Sequence, residues 1–407
     1  MIDNKRNILY VNAFSIPVRG SGADESLLLV IKALDKARYG AHVLYPFDGY
    51  LLDKAEDNFY LKEYERLGVK VDFMPMTRFY RAGSIREIAR HAVCFLPATL
   101  KLVRLIRREN ISLVHTNSAS LPCSGLAARL TGRPSLYHVR EEVVRPVIFR
   151  RLIAQMVNLL ADKIVCISNA VASMFLDSGV PSEKVMTIYN CVDLEEFDPR
   201  INGDSFRAEL GISPDAPLVG MVGRISPRKG HRYFLHAARL VSEVMPQARF
   251  VIVGDIESRI KKYTNLLAEL KCLVVELEIA DKVIFTGARQ DIPRVMAALD
   301  MLVLASCSEV APEPFGRVLI EAMAMERPVV ATWDGGVPEI VVDGTTGFLV
   351  PPRQPKPMAR AILRLLKNRD MAREMGRAGR KRAEEMFTLP IQARRLSALY
   401  EELLSKR

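Results

Sequence analysis

Residues 218–230 read Leu-Val-Gly-Met-Val-Gly-Arg-Ile-Ser-Pro-Arg-Lys-Gly: a short apolar run, then a turn that holds Gly223 and Gly230 and carries Arg224, Arg228 and Lys229. The run is a buried strand by composition, and the apolar spacing over 231–244 is helical, so the unit is strand, cationic turn, helix. The pattern recurs downstream at 250–253, 283–285, 301–304, 329–331 and 348–350, with helical segments such as 291–299 between strands. It also fills the first half, at 8–11, 42–45, 69–73, 113–115, 136–138 and 163–167, closed by 185–189. Strands that alternate with helices build parallel sheets covered on both faces. Between the halves, 191–217 holds Asp198-Pro199, Asn202-Gly203 and Ser213-Pro214 without a sustained apolar period, which is linker composition.

The expected organisation is therefore α/β, with two doubly wound domains facing a central cleft. The N-terminal, acceptor-side domain is 1–190, the linker 191–217 and the C-terminal donor domain 218–388. An amphipathic helix at 389–407 is expected to pack back toward the first domain. A chain of 407 residues exceeds the size at which one core usually stops growing, consistent with two. With 49% apolar and 26% charged residues, disorder is excluded. No stretch approaches the ~20 uncharged apolar residues that span a bilayer, and Met-Ile-Asp-Asn-Lys-Arg leads into a strand, so a cytoplasmic protein is expected. The cysteines Cys94, Cys123, Cys166, Cys191, Cys272 and Cys307 stand singly and read as free, mostly buried thiols. His231 and His236 would not share a helix face as metal ligands do, and there is no Asp-x-Asp signature, so no metal is expected.

The formal charge is +11, and the segment 74–110 supplies +6 of it, with eight Lys or Arg against two Glu. There Ile88, Val93, Phe95, Leu96, Leu100, Val103, Leu105 and Ile106 are interleaved with Arg90, Lys101, Arg104, Arg107 and Arg108: a basic helix, broken or kinked near Pro97. Two readings stay open: a surface helix that buries its apolar face on its own domain, or a peripheral contact with an anionic membrane at its inner face. Nucleic acid is not expected as a partner, because no nucleic-acid module or set of stacking aromatics accompanies the charge.

Ligands of doubly wound sheets bind beyond the carboxyl ends of strands. At such an end, Arg224 and Lys229 can form charge-assisted bonds to phosphate oxygens, each worth about 1.5–3 kcal/mol; a solvated basic turn is the other reading. A second constellation is Glu313-Pro314-Phe315-Gly316-Arg317-Val318-Leu319-Ile320-Glu321-Ala322-Met323-Ala324. Glu313 falls in the loop after the strand at 301–304, and Glu321 on the helix that Gly316 and Arg317 start. The free N–H groups of that first turn make an anion site, and a carboxylate can accept two sugar hydroxyls. In the first half, Gly20-Ser21-Gly22-Ala23-Asp24 precedes a helix; Glu25 occupies the last position of G-x-G-x-x-G, so no dinucleotide site is expected. His138 ends a strand and is either a buried structural histidine or a site residue; His115 is a weaker candidate of the same kind.

The segment 222–351 resembles the donor domain of the family 4 glycosyltransferases, retaining enzymes of the GT-B fold, in which both domains are Rossmann-like. The matching elements are Gly223-Arg224 with Lys229-Gly230, Val251-Ile252-Val253-Gly254, Phe285-Thr286-Gly287, Glu-Pro-Phe-Gly-x4-Glu-Ala-Met-Ala from Glu313, and Gly335-Gly336-Val337-Pro338-Glu339. The resemblance implies that Arg224 and Lys229, with Gly22, Gly316 and Arg317, hold the diphosphate of a nucleotide sugar. It places the sugar on Glu313, His138 and the backbone after Phe315, the ribose on Glu321, and the base near Thr286 and Gly287. His138, Glu313, Arg224 and Lys229 would be the catalytic set, with no cofactor and no metal, and neither glutamate would act as a nucleophile. The acceptor expected is a glycan or a lipid-linked intermediate, as in polysaccharide biosynthesis. A nucleotide-sugar epimerase of the same fold and a silent donor-binding subunit are the alternatives.

Overall fold

The computed structural model describes residues 5–13, 22–46, 58–76, 85–141 (backbone only for 85–92), 146–256, 265–307 and 311–406. The chain divides into two units, Met1–Asn190 with Leu389–Arg407, and Cys191–Thr388. The first is built on β1 (Arg6–Val11), β2 (Tyr39–Pro46), β3 (Lys70–Met74), β4 (Ile111–Thr116), β5 (Ser135–Val139), β6 (Lys163–Cys166) and β7 (Val185–Thr187). They form a seven-stranded parallel sheet in the order β3-β2-β1-β4-β5-β6-β7. Side chains alternate between the faces of a strand. Ile8 and Tyr10 face one side with Val43 and Tyr45, under the helices Gly22–Lys32, Phe59–Arg66 and Leu389–Ser405. Leu9 and Val11 face the other with Leu44 and Val114, under Ile85–Arg108 and Pro122–Leu130.

The terminal helix Leu389–Ser405 buries Leu396, Leu399, Tyr400 and Leu403, a stripe at helical spacing, against this first sheet. Burying each such side chain stabilises the docked helix by about 1.5–3 kcal/mol. The helix Ile85–Arg108 is continuous through Pro97, where a break or a kink was expected, so the break does not occur. Proline removes one helical hydrogen bond and crowds the carbonyl four residues back. Here Ala98, Leu102, Val103, Leu105 and Ile106 are packed on the sheet just beyond it, and Thr99 Oγ1 donates to Phe95 O at 2.8 Å, so packing outweighs the local defect.

The second unit is built on β8 (Leu218–Val222), β9 (Arg249–Val253), β10 (Val283–Gly287), β11 (Met301–Leu304), β12 (Val329–Thr332) and β13 (Gly347–Val350). This six-stranded parallel sheet has the order β10-β9-β8-β11-β12-β13. In each unit the strand order reverses once, between β1 and β4 and between β8 and β11, and such a switch point opens a crevice beyond the strand ends. The stretch 191–217 is folded onto the second unit: Phe197 and Phe206 are buried, and Arg207 donates to Ala298 O at 2.9 Å and to Ala216 O at 2.8 Å. The cysteines are free; Cys123, Cys166 and Cys191 are buried, Cys94 and Cys307 half-buried, and Cys272 exposed. Among the described residues no helix is long and apolar enough to cross a membrane.

Candidate active site

β8 and β11 flank the switch point of the second unit, so the turns that leave them are neighbours. After β8 the tight turn Pro227–Lys229 ends at Gly230, with φ at 72°. A Cβ there would stand 1.9 Å from the Ala305 carbonyl oxygen, so glycine is what lets the two turns close on each other. Cys307 N donates to Arg228 O at 2.9 Å and ties them. Lys229 Nζ thereby reaches Glu313 Oε2 at 2.5 Å, and Ser306 Oγ donates to the same oxygen at 2.7 Å. The backbone of Glu313 is held as firmly: its N–H donates to Asp334 Oδ2 at 2.9 Å, and its carbonyl accepts from Gly336 N at 2.8 Å. Gly335 packs so close to that carbonyl that a Cβ would lie 2.2 Å from its oxygen. Burial alone would push the Glu313 carboxyl up, but Lys229 and Arg228, with the bonds from Lys229 and Ser306, hold it down at about 2. It is therefore an anion at any physiological pH. Burial moves the Asp334 carboxyl the other way, above the usual carboxylate range.

The helix Arg317–Ala324 begins at Gly316, and Arg317 Nη2 pairs with Glu321 Oε1 at 2.7 Å one turn along. The Phe315 ring is buried edge-on to Phe387, with centroids 5.8 Å apart, so only its backbone remains for a ligand. Arg224 is exposed just beyond β8, and Thr286 and Gly287 end β10, where Gly254 N donates to Gly287 O at 2.8 Å. Lys229, Glu313, Gly316, Arg317 and Glu321 thus share the loops and helix end beyond β8 and β11. Thr286 and Gly287 lie on the strand-end rim, two strands from β8.

In the first unit a polar network fills the corresponding switch point. Asn12, just after β1, donates to Asp24 Oδ1 at 2.5 Å, and Asn117, just after β4, donates to Asn12 Oδ1 at 3.3 Å. Arg140 donates through Nε to Asn117 Oδ1 at 2.5 Å and through Nη1 to Asn190 Oδ1 at 2.7 Å. His138, on β5, has Nδ1 at 3.2 Å from His115 Nε2, and His115 Nδ1 is 2.7 Å from the Tyr400 hydroxyl. Burial, with the Arg140 cation, pushes His115 down to about 3; burial, Arg140 and His115 push His138 well below its ordinary value. Both rings are neutral at pH 7. Gly22 opens the helix Gly22–Lys32, and its carbonyl accepts from Ser26 Oγ at 2.7 Å; Gly20 and Ser21 lie outside the described residues. Among the described residues no group of three His, Cys, Asp or Glu could hold a metal ion.

Sequence reasoning did not find Ser306, Asp334, Arg140, Asn117 or Tyr400. Ser306 lies two residues past a predicted strand end, Asp334 opens the Gly335-Gly336 element, and Arg140 follows His138 at a two-residue step. Each could have been drawn from strand-end position alone. Tyr400 carries no such signal, being 285 residues from the His115 ring it meets.

Two family models divide the chain between them: Glycosyltransferase Family 4 matches residues 20–196, and Glycosyl transferases group 1 matches residues 203–382. The UDP-Gal:alpha-D-GlcNAc-diphosphoundecaprenol alpha-1,3-galactosyltransferase of Escherichia coli is 30% identical over 270 residues, 63% of this chain and 66% of that protein. The match thus spans just under two thirds of that relative's length. The N-acetyl-alpha-D-glucosaminyl L-malate synthase of Bacillus anthracis is 25% identical over 319 residues, 75% of this chain and 78% of that protein. Among solved structures, HepE of Anabaena in complex with UDP has a TM-score of 0.80 at 24% identity, covering 97% of this chain and 100% of that one. The two sheets are those of the GT-B fold. Matched by these models in both halves, the chain belongs to the family 4 glycosyltransferases.

Proposed function

We propose that the chain transfers a sugar from a uridine diphosphate sugar to an acceptor hydroxyl, with retention at the anomeric carbon and without a metal. The observation that carries this reading is the Lys229–Glu313 pair at 2.5 Å, set at a switch point. An ammonium has three donors, of which the carboxylate takes one, so Lys229 can also meet a phosphate oxygen. Glu313 then orients a sugar hydroxyl beside it, and the two groups straddle the bond from anomeric carbon to phosphate. As that bond breaks, negative charge grows on the diphosphate, and Lys229, Arg224 and the N–H groups at Gly316 and Arg317 stabilise it. The departing phosphate oxygen takes the acceptor proton while the acceptor oxygen bonds the same face of the sugar. Glu321 holds the ribose and Thr286 and Gly287 lie by the base. The uridine choice is supported by the relatives, among which the Escherichia coli enzyme is named for UDP-Gal and HepE was solved with UDP.

A lipid-linked acceptor at the cytoplasmic face of a membrane is supported by the surface of the first unit. On the helix Ile85–Arg108, Val93, Leu96 and Leu100 are exposed, and Lys101, Arg104 and Arg107 follow them on the outward face. On Val147–Leu160, Ile148 and Leu152 are exposed as well. Apolar side chains beside a row of cations suit an anionic bilayer.

Assays of UDP-hexoses with and without an undecaprenyl-diphosphate-linked sugar, in buffer and in EDTA, test the reading. Transfer that needs the acceptor and survives EDTA, with the donor's anomeric configuration kept in the product, is expected. Acceptor-free isomerisation would make it an epimerase, and loss of transfer in EDTA would end the metal-free mechanism. Trp333 gives a direct binding readout: it is the single tryptophan, 62% exposed, beside the Asp334 that holds Glu313. Its emission should change on titration with a UDP-hexose. Sedimentation with vesicles should rise with anionic lipid and fall with salt.

A further inference from the structure

His138 is wholly buried, yet its Nε2 meets no hydrogen-bond partner among the described residues. Its other ring nitrogen is engaged twice: Nδ1 faces His115 Nε2 at 3.2 Å and lies 3.5 Å from Arg140 Nη2. Between two neutral imidazoles so placed there is one proton, which can sit on either ring. Two groups bias it to the same ring from opposite ends: Arg140, at the 3.5 Å limit of hydrogen-bond reach, and more strongly Tyr400, at 2.7 Å from His115. A guanidinium only donates and is always charged, so the His138 nitrogen nearest it presents a lone pair and not an N–H. The proton therefore sits on His115 Nε2 and is donated to His138 Nδ1. A neutral His115 protonated at Nε2 has a bare Nδ1, and the Tyr400 hydroxyl at 2.7 Å is its donor. The Tyr400 phenol keeps its proton, because complete burial and the neighbouring Tyr10 push its pKa well above the ordinary value. Tyr10, whose hydroxyl is 3.3 Å away, donates in turn to the Tyr400 oxygen.

The four side chains come from β1, β4, β5 and the helix Leu389–Ser405, all within the first unit and all buried. The His115 ring packs tilted against Tyr10, with centroids 5.0 Å apart, and edge-on to Tyr400, with centroids 5.9 Å apart. Reversing the polarity of the chain would require the Tyr400 hydroxyl to turn its proton away from His115 and both imidazoles to exchange tautomers together.

We infer that the C-terminal helix sets the tautomer of His138 through a polarised relay, Tyr400 to His115 to His138, so that His138 offers its ligand an Nε2–H donor. Tyr400 and His115 are positioning residues in this scheme. His138 cannot be a general base, since its lone pair is occupied at Nδ1; it is a neutral donor suited to a sugar oxygen. That role toward a sugar oxygen rests on the proposed transfer reaction, with His138 facing the donor sugar.

The test is the 15N spectrum of the full chain labelled at histidine, with the His138 signals identified by their absence from His138→Gln. The expected result is a protonated Nε2 and a bare Nδ1 on His138, and the reverse on His138 would overturn the inference. Tyr400→Phe removes the first donor; it should mix the His138 tautomers and lower kcat/KM by ~10-fold, the weight of one hydrogen bond. In the otherwise unaltered chain, His115→Gln, whose amide can still donate at the Nε2 position, should keep the His138 tautomer and most of the activity, whereas His115→Leu should keep neither. If Tyr400→Phe does not fold, the Gln and Leu pair carries the same comparison. An unchanged His138 tautomer in His115→Leu would sink the relay. The expected tautomer in a protein whose transfer is indifferent to His138→Gln would support the relay and remove the sugar-facing reading instead.

Discussion

Lys229 and Glu313 neutralise each other in a buried place, and that mutual dependence governs how substitutions at either will behave. Lys229→Ala should lower kcat/KM by at least ~100-fold, because a charged contact to the leaving diphosphate contributes about 3 kcal/mol or more. It should also destabilise the chain by ~3–5 kcal/mol, since the Glu313 side chain is 8% exposed and would be left charged without its cation. Glu313→Gln should depress transfer yet leave UDP binding nearly unchanged. Combining the two should recover much of the lost stability and none of the activity. Calorimetric unfolding beside steady-state kinetics checks this; a double variant as unstable as Lys229→Ala would show that the pair is not the source of the loss.

The turns after β8 and β11 hold that pair only because their backbones nearly touch at Gly230. Gly230→Ala meets two obstacles, a left-handed φ of 72° and a backbone oxygen 1.9 Å from the new Cβ. Gly211, with φ at 65° and open space around its Cβ, meets only the first. Gly211→Ala should cost about 1–2 kcal/mol and spare UDP binding. Gly230→Ala should cost more and weaken UDP binding at least ~10-fold, because the turn must shift and carry Lys229 away from Glu313. Isothermal titration with UDP distinguishes them; equal affinities would mean that the closeness of the turns is immaterial. At this scale the strands and their loops were legible, since apolar runs and turn residues are local signals. The unbroken helix at Pro97 was not, because the packing that overrides the proline comes from distant strands.

Among the described residues four histidines are buried and neutral at pH 7, unevenly divided. His42, His115 and His138 lie in the first unit, His42 lowered by burial against the pull of Asp72, and His231 lies in the second, where burial and Lys229 push it down to about 4. Unfolded, each titrates near 6.5, so below that pH the unfolded chain binds more protons and acidification favours it. The stability these groups contribute is complete above about 6.5 and falls as pH drops toward about 4 for His231 and about 3 for His115. The loss is up to about 1.4 kcal/mol per pH unit for each histidine. Scanning calorimetry from pH 7.5 to 5 should therefore move the transition of the first unit further than that of the second, and His115→Gln should narrow the gap. A protein more stable at pH 5 than at pH 7 would contradict the sign of this argument.

Two parallel sheets, the cationic turn at Gly223–Gly230 and the pair Glu313 and Glu321 were all readable in the chain itself, because period, turn chemistry and helix starts are written within a few residues. The resemblance carried by those motifs then named the family. What the tertiary structure alone decided is which of these pieces meet. Lys229 and Glu313 are 84 residues apart and touch because β11 was laid beside β8, an order that no local period encodes. The Phe315 ring turns into the core because Phe387 packs against it. Tyr400 reaches His115 because the terminal helix docks its apolar stripe on the first sheet and carries one hydroxyl with it. Polar groups taken out of water in this way must find partners, and only the folded chain determines which ones are within reach.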